Sequence, residues 1–74
     1  MTRESKMTIK QINTNTCDIY CESRDNGGEW IAQGVIPVRG TMAEVAEKRI
    51  ANQLRWGWAF ISAEGAVLTF RKEF

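Results

Sequence analysis

Thr41 to Gly57, TMAEVAEKRIANQLRWG, constrains this chain more than any other stretch, because it alone carries a full set of helix signals. Thr41 is an N-cap residue, and Glu44 three positions on completes a T-x-x-E capping box that can satisfy two orphan amides reciprocally. Gly57 stands where a left-handed C-cap needs a residue without a Cβ. Met42, Ala43, Ala46, Ile50 and Leu54 share one side of a helical wheel, and Glu44, Lys48, Ala51, Asn52 and Arg55 the other. Glu44 and Lys48 form an i,i+4 pair in the better orientation. One amphipathic helix with one apolar stripe needs a surface to lie on, and the rest of the chain must supply it.

The flanking segments read as strands. Thr16 to Ser23 alternates, with Cys17, Ile19 and Cys21 on one face and Asp18, Tyr20 and Glu22 on the other. Arg24 to Gly28, RDNGG, is the strongest turn, since Asn-Gly and Gly-Gly accept positive φ. Glu29 to Val38 is the returning strand, with Gly34 as a bulge and Pro37 restricting it to a sheet edge or a strand end. After the helix, Trp58, Phe60 and Ser62 face one way and Ala59, Ile61 and Ala63 the other. Glu64-Gly65 makes a tight turn into Ala66 to Lys72, with Ala66, Leu68 and Phe70 on one face and Val67, Thr69 and Arg71 on the other. NTNT, Asn13 to Thr16, is a turn or a bulge. Residues 1–7 are polar with nothing to bury and are expected to be frayed, with Met7 as an alternative start. Residues 8–74 then form a single α+β domain: a small antiparallel sheet with one helix packed on one face, in the order β-β-α-β-β. One sheet face is left to water or to a partner.

Composition narrows what such a domain does. Ten bases against nine acids give a net charge of +1, which supports neither a polybasic nucleic-acid binder nor an acidic DNA mimic. There is no histidine, the usual general acid–base near neutrality. Cys17 and Cys21, roughly 13 Å apart along a strand, are out of disulfide reach and make a poor metal pair, so they read as small buried hydrophobes of a reducing compartment. Asp18 and Glu22 are too far apart for a shared-proton dyad, and Asp25 and Glu29 read as charge on a turn. No apolar run approaches the ~18 residues of a membrane span. The expectation is a cytoplasmic protein without catalysis, cofactor or membrane contact, acting as a monomer or homodimer.

The aromatic residues point to recognition. Tyr20, flanked on its face by Asp18 and Glu22, is the ring expected to be exposed. The two carboxylates beside it would repel a phosphate backbone and favour a protein partner. A nucleic-acid reading would stack bases on Tyr20, Trp30 and Trp58, with Arg24, Arg39, Arg71 and Lys72 on phosphates; it is not favoured. Trp56 and Trp58 straddle the helix end as a lid over the core or as a binding anchor extended by Arg55. The candidate partner-binding residues are therefore Asp18, Tyr20, Glu22, Arg24, Asp25, Trp30, Arg55, Trp56 and Trp58.

The hairpin CDIYCESRDNGGEWIAQGVIPV followed by AEVAEKRIANQLRWGWAFISAEGAVLTFRKEF resembles the layout of some small anti-CRISPR proteins of phages and other mobile elements. In those chains a strand pair precedes an Ala-rich helix ending in a W-G step, and a short hairpin closes the domain. The resemblance spans about residues 16 to 72. It implies a stoichiometric inhibitor that docks on a Cas subunit of a type I surveillance complex in the host bacterium. The alternatives from the residues themselves are a single-strand nucleic-acid-binding module and a phage structural or assembly protein.

Overall fold

Three strands precede the helix, not two. The computed structural model describes all residues, Met1 to Phe74. Its elements are β1 (Thr2–Asn13), β2 (Thr16–Asp25), β3 (Ile31–Arg39), α1 (Met42–Arg55), β4 (Ala59–Glu64) and β5 (Val67–Glu73). The strands form one antiparallel sheet in the order β3-β2-β1-β5-β4. The α+β class with one helix on one sheet face holds, with a fifth strand added.

That added strand corrects the expectation for residues 1–7, which are the first half of the central strand. Arg3 to Lys6 pair with Asp25 to Glu22 on one side and with Lys72 to Thr69 on the other. Met7 is the one residue of this half in the hydrophobic core; ahead of it the strand is tied by Glu4, buried between Arg24 and Arg71. Asn26 adds to it: its side chain accepts from the Thr2 amide at 3.0 Å, and its own amide donates to the Thr2 carbonyl at 2.7 Å. The partners of these polar residues lie some twenty to seventy positions away, so no local pattern exposes them.

The turns and bulges fall where residue chemistry requires. Asn26 and Gly27 take φ of 52° and 71° between β2 and β3, as an Asn-Gly turn favours. Register slips between Cys21 and Glu22, which face Gly34 and Ala32, leaving Gln33 as an extra residue beside Gly34. Pro37 sits on β3, an edge strand, where a missing N–H is tolerated. A second slip, between Phe60 and Ser62, makes Ile61 the extra residue of β4. It breaks the expected alternation there: Phe60 faces Phe70, and Ala63, not Ser62, faces Leu68.

Thr41 caps the helix as expected, accepting from the Glu44 amide at 3.4 Å. The return half of the box differs. Thr41 Oγ1 donates to Glu44 Oε1 at 3.0 Å, and a second orphan amide, that of Met42, is satisfied by Gln11 Oε1 from β1. At the far end the Gly57 amide donates to Leu54 and the Trp58 amide to Gln53, with Gly57 at φ 88°; this is a Schellman closure.

The core lies between α1 and one sheet face: Met7, Ile9, Cys17, Ile19, Leu68 and Phe70 from strands, and Val45 from the helix. Val45 was absent from the expected stripe, and Leu54 and Ala43, which were in it, are exposed. The inward arc is therefore rotated toward Val45. Met42, Ala46 and Ile50 stay on it, and half-buried Arg49 and Asn52 flank Val45. The helix packs over β1, β5 and β4, leaving β3 exposed almost throughout.

Candidate functional site

Strand alternation puts Thr2, Glu4, Lys6, Thr8 and Lys10 on the face that the helix does not cover, with Asp18, Tyr20, Glu22 and Arg24 from β2. In one cross-strand row Arg24, Glu4 and Arg71 stand side by side. Arg24 Nε is 2.8 Å from Glu4 Oε1, and Arg71 is 3.5 Å from Glu4 Oε2. The hydrogen bond from Arg24 holds the Glu4 carboxyl below its ordinary range, against an opposing push from burial. In the next row Lys6 lies 3.7 Å from Glu22. Trp30 folds onto this network from the β2–β3 connection. Lys6 and Arg24 each lie 4.4 Å from its ring centroid, so the ring is clamped by its own chain.

The face is thus not bare. Of its candidate residues, Glu22, Arg24 and Trp30 are tied into one paired network, and Trp30 is half-buried. Tyr20 remains in water, as does its partner across the ladder, Val35. Asp18 lies one row beyond, opposite Pro37. Asp25 belongs to the sheet end, where Arg3 Nε reaches its carboxylate at 2.8 Å and holds its titration low.

Arg55, Trp56 and Trp58 form a separate region at the helix C-terminus, on the helix side of the sheet. The structure does not join them to Tyr20. Trp58 packs against the core and is the lid, whereas Trp56 is 66% exposed. The Trp56 carbonyl accepts from Lys72 Nζ at 2.7 Å. Leu54 and Phe60 are exposed as well.

Two features escaped sequence reasoning. The first is the edge strand itself. Ile31, Val35 and Ile36 of β3 are all exposed, Ile31 at 62%. A sequence gives strands but not their order, and the order is what leaves β3 at an edge with no helix above it.

The second is a hollow of about 360 Å³ between β3 and α1, lined by Val38, Arg39, Val45, Lys48, Arg49 and Asn52. Val45, Lys48, Arg49 and Asn52 fall at i, i+3, i+4 and i+7 on one helix flank. No carboxylate lines the hollow, and none of its three cations takes part in an ion pair. Arg49 also reaches the electrostatic surroundings of Cys21, whose thiol burial pushes up and Arg49 partly draws back. Helical spacing alone could have gathered Lys48, Arg49 and Asn52; only the fold adds Arg39.

A larger, wholly polar hollow of about 630 Å³ joins the β1–β2 turn to the helix start, and Arg39 lines this one too. No group of three or more Cys, Asp or Glu residues is placed to hold a metal ion, and no helix is long and apolar enough to cross a membrane. No family model, curated protein or solved structure matches this chain.

Proposed function

We propose that this chain is a non-catalytic binding protein that docks on a protein partner through β3 and the adjoining Tyr20–Val35 surface. In keeping with the resemblance to small phage-encoded anti-CRISPR proteins, the proposed partner is a Cas subunit of a type I surveillance complex in the host cytoplasm. Docking there would block DNA binding or recruitment. The observation that carries the docking reading is the exposure of β3 along nearly its whole length, with Val35 in water beside Tyr20 on one face and Ile31 and Ile36 in water on the other. An uncovered edge strand with apolar side chains is a ready surface for association, and an exposed Tyr is a favoured anchor in it.

The single-strand nucleic-acid reading loses support from the same face. Trp30, the ring it needs for stacking, is engaged by Lys6 and Arg24, and both cations are committed to Glu22 or Glu4. A phage assembly protein would use the same β3 edge with a second copy and would sediment as a concentration-dependent oligomer.

The test is co-elution of the purified protein with a type I surveillance complex, followed by measurement of target-DNA binding. Association with loss of DNA binding is expected, and Tyr20→Ala and Val35→Arg should each weaken it about tenfold or more. Absence of association sinks the proposed partner. Retained association in both variants would sink the β3 surface.

A further inference from the structure

We propose that the hollow between β3 and α1 is a carboxylate-binding site, and that its occupant is an acidic segment of a protein partner. The proposal deepens the docking reading and rests on it for the identity of the ligand as protein.

Three observations converge. First, the charges are unpartnered. Arg39, Lys48 and Arg49 line one hollow with Asn52, and none of them makes an ion pair or a side-chain hydrogen bond within the chain. The nearest acid along the helix that could pair with Lys48, Glu44, accepts from Thr41 Oγ1 at 3.0 Å and belongs to the cap. Glu47 leaves the helix on a different side, since the hollow takes positions 45, 48, 49 and 52.

Second, Arg49 is held against the helix's buried position without a partner of its own. It is half-buried beside Val45, the only buried residue of the helix. Its guanidinium keeps contact with water and takes no acceptor from the chain, so an incoming carboxylate meets no competing partner there. Two guanidinium forks and a lysine also match a carboxylate's two oxygens.

Third, the floor selects among anions. Val38 and Val45 line the base. They offer a phosphate nothing, but they pack the methylenes of a glutamate whose carboxylate reaches the rim. The hollow also adjoins the exposed β3 edge, because Val38 and Arg39 are the last residues of that strand. A partner seated along β3 would carry an acidic side chain directly to it. A phosphodiester backbone would extend past the hollow onto a protein of net charge +1, without the long basic track that such a ligand needs.

The test uses the isolated full chain, with hexaglutamate peptide and inorganic phosphate as separate probes, followed by two-dimensional NMR titration. Hexaglutamate is expected to shift the amides of Val38, Arg39, Lys48, Arg49 and Asn52 saturably, and to weaken as salt screens the charges. Arg49→Gln and Arg39→Gln should each cut the affinity about tenfold, while Lys10→Gln, on the opposite face, should leave it unchanged. Circular dichroism of each variant checks that the fold persists. No saturable shift, or an equal loss in Lys10→Gln, overturns the site. Phosphate binding as tightly as the peptide overturns the carboxylate assignment. The docking proposal fails separately: a chain that binds hexaglutamate yet ignores the surveillance complex keeps the hollow and loses that partner.

Discussion

Two charged regions of this domain have opposite organisation. On the helix-free face, Glu4 is shared by Arg24 and Arg71, Lys6 faces Glu22, and Trp30 lies against Lys6 and Arg24. Between β3 and α1, Arg39, Lys48 and Arg49 line one hollow with no acid among them. The domain is near neutral, so the contrast is not one of total charge. In the first region each charge is answered across strands, and the result holds the first half of β1 in the sheet. In the second the charges repel, and nothing in the fold is gained by keeping them together. Charge that is paired within the chain serves the fold; charge left unpaired in a partly buried hollow is available to a ligand.

The largest effect expected on this contrast comes from deleting Met1 to Lys6. That removes Glu4, Lys6, most of the central strand's pairing with β5 and somewhat under half of its pairing with β2. With only seven apolar residues buried, a domain of this size has little stability in reserve. The shortened chain should lose its fold, read as collapse of amide dispersion in NMR. A folded truncation would show that the helix-free face is decoration. It would also show that Met7 is a workable start.

Glu4→Ala comes next. It leaves Arg24 and Arg71 facing each other without their shared acceptor. The Glu4 side chain is 11% exposed, but the arginines keep 29% and 48% in water. The cost should therefore fall below that of breaking a fully buried pair, at about 2 kcal/mol in urea denaturation. The pH dependence has a fixed sign. Glu4 and Asp25 both titrate below their ordinary values of 4.5 and 3.8 in the fold. Their stabilisation is thus fully present above those values and is lost as pH falls through the lower folded ones. Stability should be level from neutral pH to about 5 and drop below 4, with a shallower drop in Glu4→Gln.

Local chemistry made much of the fold legible. The helix, its Thr41 cap, the Asn26-Gly27 turn, the Gly34 bulge and the Cys17/Ile19/Cys21 face follow from side-chain patterns within a few residues of each other. What failed were features set at long range. The first half of β1 was missed because Glu4 substitutes for a hydrophobic residue only when Arg24 and Arg71 arrive from other strands. The β4 faces were mixed because Ile61 is an extra residue that no local residue type marks. Of the candidate site, Tyr20 was legible as exposed through its alternation with buried Ile19. Trp30 was not legible as clamped, nor Trp56 as exposed, since both sit at element ends where alternation says nothing. The hollow was invisible because Arg39 and Arg49 meet only after β3 is placed at the sheet edge.

Trp30→Ala sharpens the comparison from the paired side. Two cation–π contacts at a partly exposed ring are worth about 0.5–1 kcal/mol each, so a loss of roughly 1–2 kcal/mol is expected. Lys6 and Arg24 should also become accessible to anions. If the paired network is what keeps that face from attracting ligands, the variant should gain weak, salt-sensitive binding of hexaglutamate there. NMR shifts at Lys6 and Arg24 would report it. A variant as stable as the parent, with no such shifts, would mean the ring merely rests on the sheet.

The smallest stability effect is expected where the binding effect is large. Lys48→Gln and Arg49→Gln remove cations that make no intramolecular pair, and each replacement relieves like-charge repulsion across the hollow. Arg49 does contribute aliphatic packing beside Val45, which Gln largely preserves. The two terms oppose each other, so the midpoint of urea unfolding should stay within ~0.5 kcal/mol of the parent, or shift slightly upward. Raising the salt concentration should stabilise the parent more than either variant, because screening removes a repulsion that the variants already lack. A loss above about 1.5 kcal/mol for Arg49→Gln would exceed what methylene packing at a half-buried site provides. It would mean that this guanidinium is held by the fold after all, and the distinction between answered and unanswered charge would no longer separate the two regions.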